Sequence, residues 1–288
     1  MPIFQATGRL LLVILLGGLI AQALIVFAPG YTVDERELDP GLSEETRQAL
    51  QHEKLKDRQL FASYGRFLTG ILHGDFGQSK SLNRPVVELL RDRIPVTLQL
   101  LGKAILLGWC LGFGLALISA ASGVSVLKWA GILSSNFLLC LPAAVLALLL
   151  LLWGDRFPGA EVWVVALTLA PKIFRYSFNL IEDIYQAPHI LAAKAKGLGP
   201  LRILLRHALP PVSGQLLALA GITVSFGLSA AIPTEVVLDI PGIGQLAWQA
   251  ALSRDLNLLV SLTFFVAIVT TVANSVSDRW VEIGGLQQ

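Results

Sequence analysis

Few groups in this chain are spaced for bond-making chemistry. His52-Glu53-Lys54-Leu55-Lys56 opens like a helical zinc site, but Lys56 stands where the second histidine ligand is needed. The four histidines, His52, His73, His189 and His207, are scattered, so no metal cluster is implied. Asp75-Phe76-Gly77 echoes a kinase tripeptide without its partners, and Ser213-Gly214 lacks the spacing of a nucleophile elbow. No Gly-x-x-x-x-Gly-Lys-Ser/Thr phosphate loop occurs, so this chain brings no such cradle for ATP. The polar residues that do stand out lie within or beside apolar runs. Lys103, Ser134, Ser135 and Asn136 are suited to lining a wet path. Glu235 and Asp239, just before Pro241-Gly242, are suited to contacting a solute, gating an exit, or simple solvation. Lys103 either reaches back to the outer surface or faces a cavity and meets an anionic group.

Those residues sit in a very apolar chain. Of 288 residues 54% are hydrophobic and only 15% charged, against about 25% charged in soluble domains. Mean hydropathy is +0.67. A net charge of +2 gives no footprint for nucleic acid. Cys110 and Cys140 lie in apolar runs and read as packing residues. A bilayer core of about 30 Å takes about 20 apolar helical residues. Six stretches qualify: 8–28, 96–120, 129–152, 162–180, 212–232 and 256–276. The first is longer than a signal-peptide core and is expected to remain as a membrane helix. The fourth is the weakest, because Pro171, Lys172 and Arg175 interrupt its end, where lysine and arginine would snorkel to the interface. The fold expected is therefore all-α and integral to a membrane, with six transmembrane helices. Its parts are a first span (1–28), an extracytoplasmic helical segment (29–95) and a five-helix core (96–288).

Short-loop lysine and arginine set the orientation. The segment 181–211 carries Lys194, Lys196, Arg202 and Arg206, with Glu182 and Asp183 its only acids, and is expected to be cytoplasmic. Counting outward puts both termini inside. Residues 29–95 then lie outside, with nearly balanced charges that give no direction of their own. There Ser43 can cap a helix, Phe61, Tyr64, Phe67, Leu68, Ile71 and Leu72 recur at helical spacing, and Pro85 can start a helix ending before Pro95. Pro241-Gly242-Ile243-Gly244 marks a tight turn or re-entrant bend.

The loop 184–211 is the most informative stretch. Residues 189–196 form helix readily, Gly197 suits a left-handed cap, Pro200 suits the start of a second helix, and Pro210-Pro211 are expected to end it. The product is a short helix–turn–helix. Ala192, Ala193 and Ala195 allow close approach, and Ile203, Leu204 and Leu205 offer apolar surface to a partner.

This segment resembles the EAA loop of ABC importer permeases: Ala192, Ala193, Gly197, Leu209 and Pro210 fall on its spacing, with Leu191 in place of the glutamate and His207 in place of the isoleucine. Ala193-Lys194-Ala195-Lys196-Gly197-Leu198 and Arg206-His207-Ala208-Leu209 resemble the dipeptide/oligopeptide/nickel branch, although Pro210-Pro211 stand where that branch has Arg-Asn. Gly74-Asp75-Phe76-Gly77-Gln78-Ser79, Arg84-Pro85-Val86, Arg93-Ile94-Pro95-Val96-Thr97-Leu98, Glu235 to Gly244 and Arg254-Asp255 are similar to the same branch. The resemblance implies a permease subunit of an ATP-driven importer and not an enzyme. It implies no cofactor in this chain, with ATP and magnesium held by two cytoplasmic ATPase subunits. It also implies a second homologous permease forming a heterodimer, an extracytoplasmic binding protein, and a bacterial inner-membrane location. Ala192 to Leu198 with Arg202, Arg206, His207, Leu209 and Pro210 would dock the ATPase and move as a lever. Peptides, nickel or other metal chelates, and glutathione-like compounds all suit the branch. Small residues such as Gly108, Gly112, Gly114, Gly221, Ser225, Gly227 and Ser229 would let helices approach and slide. A self-contained secondary transporter would call for acids inside the spans, which the hydropathy boundaries do not include. A membrane scaffold is the other alternative.

Overall fold

The structure, a computed structural model, describes residues 75–122, 124–152 and 159–285, with a few isolated positions nearer the N-terminus. The expected first span 8–28, the helix expected from Ser43 and the Phe61–Leu72 spacing lie outside the described residues.

A hairpin of two short strands stands at the start of the continuously described chain. Strands β1 (Gln78–Ser79) and β2 (Arg84–Pro85) pair antiparallel, Gln78 against Pro85 and Ser79 against Arg84. Helix α1 (Val86–Ser122) follows directly. The sequence suggests a helix stopping before Pro95 and a separate span after it; the structure joins them into 37 residues. Pro95 removes only the bond to the Arg91 carbonyl, and Arg91 is exposed. At about 55 Å, α1 is longer than a bilayer core is thick.

The expected span 129–152 is two helices, α2 (Ser125–Leu139) and α3 (Ala143–Leu151), bent by 92°. Pro142 causes the break. It is extended at φ −61°, ψ 146° and biases Leu141 away from helical backbone. Helix α4 (Ala160–Tyr185) starts after Gly159, whose φ is +76°, and carries Pro171 inside it. Neither Pro171 nor the cations near it ends the helix, which runs five residues beyond the sequence-based boundary.

Then come α5 (Pro188–Ala195), α6 (Pro200–Ile203), a π-helical turn (Leu204–Ala208) and α7 (Leu209–Val237). The expected stop at Pro210-Pro211 does not occur. Two consecutive prolines withdraw the N–H groups that an α-helix would send to Arg206 and His207, and their rings crowd those carbonyls. The wider π turn accommodates this, and the chain continues as one helical path. Helix α8 (Ile243–Leu252) and α9 (Leu256–Gly285) complete the order. Among the described residues four helices are long and apolar enough to cross a membrane, and up to five spans result if the bent pair counts as one.

By internal packing the chain divides into two units, Met1–Ile94 with Leu246–Val269, and Pro95–Gln245 with Thr270–Gln288. The core of the second unit is built on α4, where Val164, Val165, Ala166, Leu169, Ile173, Phe174 and Ile181 are buried. Glycines set how close its neighbours come. A Cβ at Gly112 would overlap the Ala170 backbone of α4, and one at Gly131 the Phe174 ring. Gly108 also meets α4, whereas Gly114 faces open space and is not needed for contact.

Candidate functional site

The helix–turn–helix forms as the sequence suggests, with a different apolar face outward. Pro188 and Pro200 each sit in the first turn of their helices. Gly197, at φ +73°, closes α5: its N–H bonds the Lys194 carbonyl at 2.9 Å and the Leu198 N–H reaches Ala193 at 3.3 Å. Ile190, Ala193, Ile203, Leu204 and Ala208 are buried against Ala120 of α1 and Ile181 of α4, with Leu198 and Leu209 packed at the margin. Ile203, Leu204 and Ala193 therefore face inward and are not offered to a partner. Leu191, Leu201 and Leu205 are instead 56%, 64% and 54% exposed. Ala192, Lys194, Ala195, Lys196, Arg202 and Arg206 of the same elbow are also exposed. The Lys194 ammonium lies 5.2 Å over the Tyr185 ring. His207 is half-buried and Pro210 exposed.

The membrane-depth polar groups are distributed unlike the sequence-based expectation. Lys103 is exposed beside Leu106 and Cys110 on an otherwise apolar face of α1. Ser135 is buried and donates to the Ile132 carbonyl at 2.9 Å, a local bond. Asn136 is exposed and its side-chain oxygen accepts from Arg175 Nη1 at 3.3 Å. Because α4 continues to Tyr185, Lys172 and Arg175 stand near the middle of the helix; Lys172 is about 18 Å of helix from either end. An uncompensated charge at a membrane-helix centre costs about 2.5–3.5 kcal/mol, so such residues mark a constrained environment. Lys172 Nζ sits 4.4 Å over the Phe226 ring of α7. Lys172, Arg175, Tyr176 and Asn179 recur at helical spacing on one side of α4, while Ile173, Phe174, Ser177, Phe178 and Ile181 are buried. That recurrence was present in the sequence, inside the expected span 162–180, but reading Lys172 and Arg175 as interfacial cations hid it. Nearer the end of α4, Lys128 of α2 pairs with Glu182 at 2.9 and 3.0 Å.

Glu235 belongs inside α7, beyond the sequence-based limit of the fifth span, and is fully buried. An acid thus does lie within an apolar helix. Its Oε1 accepts from Thr97 Oγ1 at 2.7 Å and its Oε2 from the Gly244 N–H at 2.6 Å, while the Ile243 N–H donates to Thr97 Oγ1 at 2.9 Å. A Cβ on Gly242 would overlap this carboxylate. Asp239, by contrast, is exposed, adopts φ 53° and accepts from Gln245. The Ile240 N–H to Glu235 carbonyl bond, 2.9 Å, ends α7 in a left-handed cap at Asp239. The turn through Pro241-Gly242 is a real bend, and Glu235 holds it from inside.

In the other unit, Asp255 is buried and gathers the hairpin. Its Oδ2 accepts from Ser79 Oγ at 2.6 Å and from the Ser81 N–H and Oγ, each at 2.9 Å. Its Oδ1 takes the Leu258 N–H at 3.3 Å, and Asn257 Nδ2 donates to the Gln78 carbonyl at 3.2 Å. Two separated sequence stretches therefore meet, the one ending at Ser79 and the one at Arg254-Asp255. Among the described residues no group of histidine, cysteine or acidic side chains is placed to hold a metal.

A bundle of apolar spans with a helix–turn–helix between two of them defines the class of an importer permease. Residues 112–283 match the binding-protein-dependent transport system inner membrane component, and the chain belongs to that family. It is similar to the oligopeptide transport system permease protein OppB of Escherichia coli K12, 30% identical over 224 residues and covering 72% of this chain and 73% of that one. It is 26% identical to the dipeptide transport system permease protein DppB of Lactococcus lactis, covering 96% and 95% of the two chains. The fold matches a chain of the inward-facing MetNI methionine ABC transporter with a TM-score of 0.63 at 18% identity, covering 69% of this chain and 97% of that one. The protein is a multi-pass inner-membrane permease subunit of an ABC importer, a transport component and not a catalyst.

Proposed function

We propose that this permease carries peptides handed over by an extracytoplasmic binding protein, and that α5 and α6 are where cytoplasmic ATPases push. The exposed Leu191, Leu201 and Leu205, with Lys194, Lys196, Arg202 and Arg206 exposed along the same elbow, carry this reading. Together they offer the apolar and cationic groups from which a protein contact is built. Behind it, Ile190, Ile203 and Leu204 pack on the ends of α1 and α4, so a push on the outer face has solid packing to act against. The peptide cargo follows from the OppB and DppB relatives. ATP and magnesium bind two ATPase subunits, and a second, homologous permease supplies the other half of the path. Both termini and the 188–210 elbow lie in the cytoplasm, as the short-loop cations favour.

The test is purification of the complex from cells expressing Leu201→Asp/Leu205→Asp. The expected outcome is an inserted permease that no longer recovers ATPase and no longer supports uptake of a labelled oligopeptide. Full ATPase recovery with that variant would remove the basis for the docking surface.

A further inference from the structure

The polar side of α4 has no role in the reading above. Lys172, Arg175, Tyr176 and Asn179 stand at i, i+3, i+4 and i+7, a single stripe along the middle of a membrane helix. The opposite side is buried in the core of its unit. We propose that this stripe lines the aqueous route through the assembled permease, and that Lys172 and Arg175 receive the carboxylate of the cargo in transit. The carboxylate assignment rests on the peptide reading; the wet, anion-selective route does not.

The argument is one of elimination and then of charge. Two cations, a phenol and an amide in the middle of a helix long and apolar enough to cross a membrane are costly to set against hydrocarbon. Nor are the cations neutralised at home. Lys172 rests on the Phe226 ring and Arg175 on the Asn136 amide oxygen, both uncharged. Glu182 is engaged by Lys128, and Asp183 lies about 12 Å further along the axis from Arg175. Among the described residues no carboxylate lies within ion-pair distance of Lys172 or Arg175. The ring and the amide hold the side chains in place while leaving their charge available. An arginine fork takes a carboxylate through two hydrogen bonds, and a lysine adds a point charge beside it. Tyr176 and Asn179, one turn on, supply neutral hydrogen-bonding groups for peptide amides.

The experiment uses the complete importer with Cys110 and Cys140 replaced by serine. Tyr176→Cys is treated with two membrane-impermeant thiol reagents of similar size, one sulfonated and one quaternary ammonium. The sulfonated reagent is expected to react about tenfold faster, a preference that vanishes when Lys172→Gln and Arg175→Gln are added. Ile173→Cys, on the buried side, should stay unreactive. Failure of Tyr176→Cys to react, or equal rates with both reagents, overturns the proposal; so does a preference for the cation, which a facing acid of the second permease would produce. Uptake of trialanine is then compared with uptake of its C-terminal amide. Lys172→Gln/Arg175→Gln should lower the maximal rate for the free acid about tenfold more than that for the amide. Equal loss on both peptides overturns the carboxylate contact. Uptake of neither by the unsubstituted importer, with the reagent preference intact, sinks the peptide reading and leaves the anion route standing.

Discussion

Glu235 shows how one side chain can be misread from sequence and still be informative. Its position before Pro-Gly suggests a solvated or gating acid, yet it is sealed inside α7 and bonded to Thr97 and Gly244. Nothing in local spacing reveals that, because Thr97 lies 138 residues away. Glu235→Ala would orphan two buried donors at about 1–3 kcal/mol each, so the thermal midpoint of the solubilised complex should fall by several degrees. Glu235→Gln, which keeps one acceptor oxygen, should fall between. A midpoint unchanged by either substitution would mean the turn is held by something else. Gly197 was legible in full: its left-handed conformation is what the Lys194–Leu198 run requires. Valine there meets no neighbour but suffers the backbone penalty, roughly 1–2 kcal/mol. Gly197→Val should insert normally and lose uptake, whereas Gly197→Asn should retain most of it. Normal transport by the valine variant would count against a fixed elbow.

At the scale of elements, hydropathy found every described span and proline misled about where each stops. Pro95 and Pro210-Pro211 were read as boundaries and Pro171 as an interruption, but each lies on a continuous helical path. Among the described residues only Pro142 breaks a span. A ring at an exposed or widened turn costs one bond, whereas one that follows two turn residues redirects the chain. The close approach of α7 and α9 is the clearest elemental test. A Cβ on Gly221 would overlap Ser277, whose hydroxyl donates to the Leu217 carbonyl at 2.8 Å. Gly221→Val should force the two helices apart and lower stability by about 1–3 kcal/mol, read as a drop in folded protein recovered after heating. Recovery equal to the parent would show that the helices separate without strain.

For the whole molecule, the class was legible because apolar length, loop charge and the Ala-Lys-Ala-Lys-Gly-Leu run agree. The α4 stripe was not, since it depends on which side of the helix packs into the core, and that is set by residues far away in the chain. Orientation is checked by placing single cysteines at two exposed positions, Lys196 and Leu82. In intact cells permeabilised only at the outer membrane, Leu82→Cys should label with an impermeant maleimide and Lys196→Cys only after lysis. The reverse pattern would invert the topology. The π turn has a further consequence. It holds one residue more than the α-helical turn it replaces, which offsets the downstream helix by about 100°. Removing a single residue from Leu204–Ala208 would leave both flanking helices intact but spin α7 out of phase with the elbow that precedes it. Such a deletion would yield a transporter whose motor still turns over while its gearing no longer meshes.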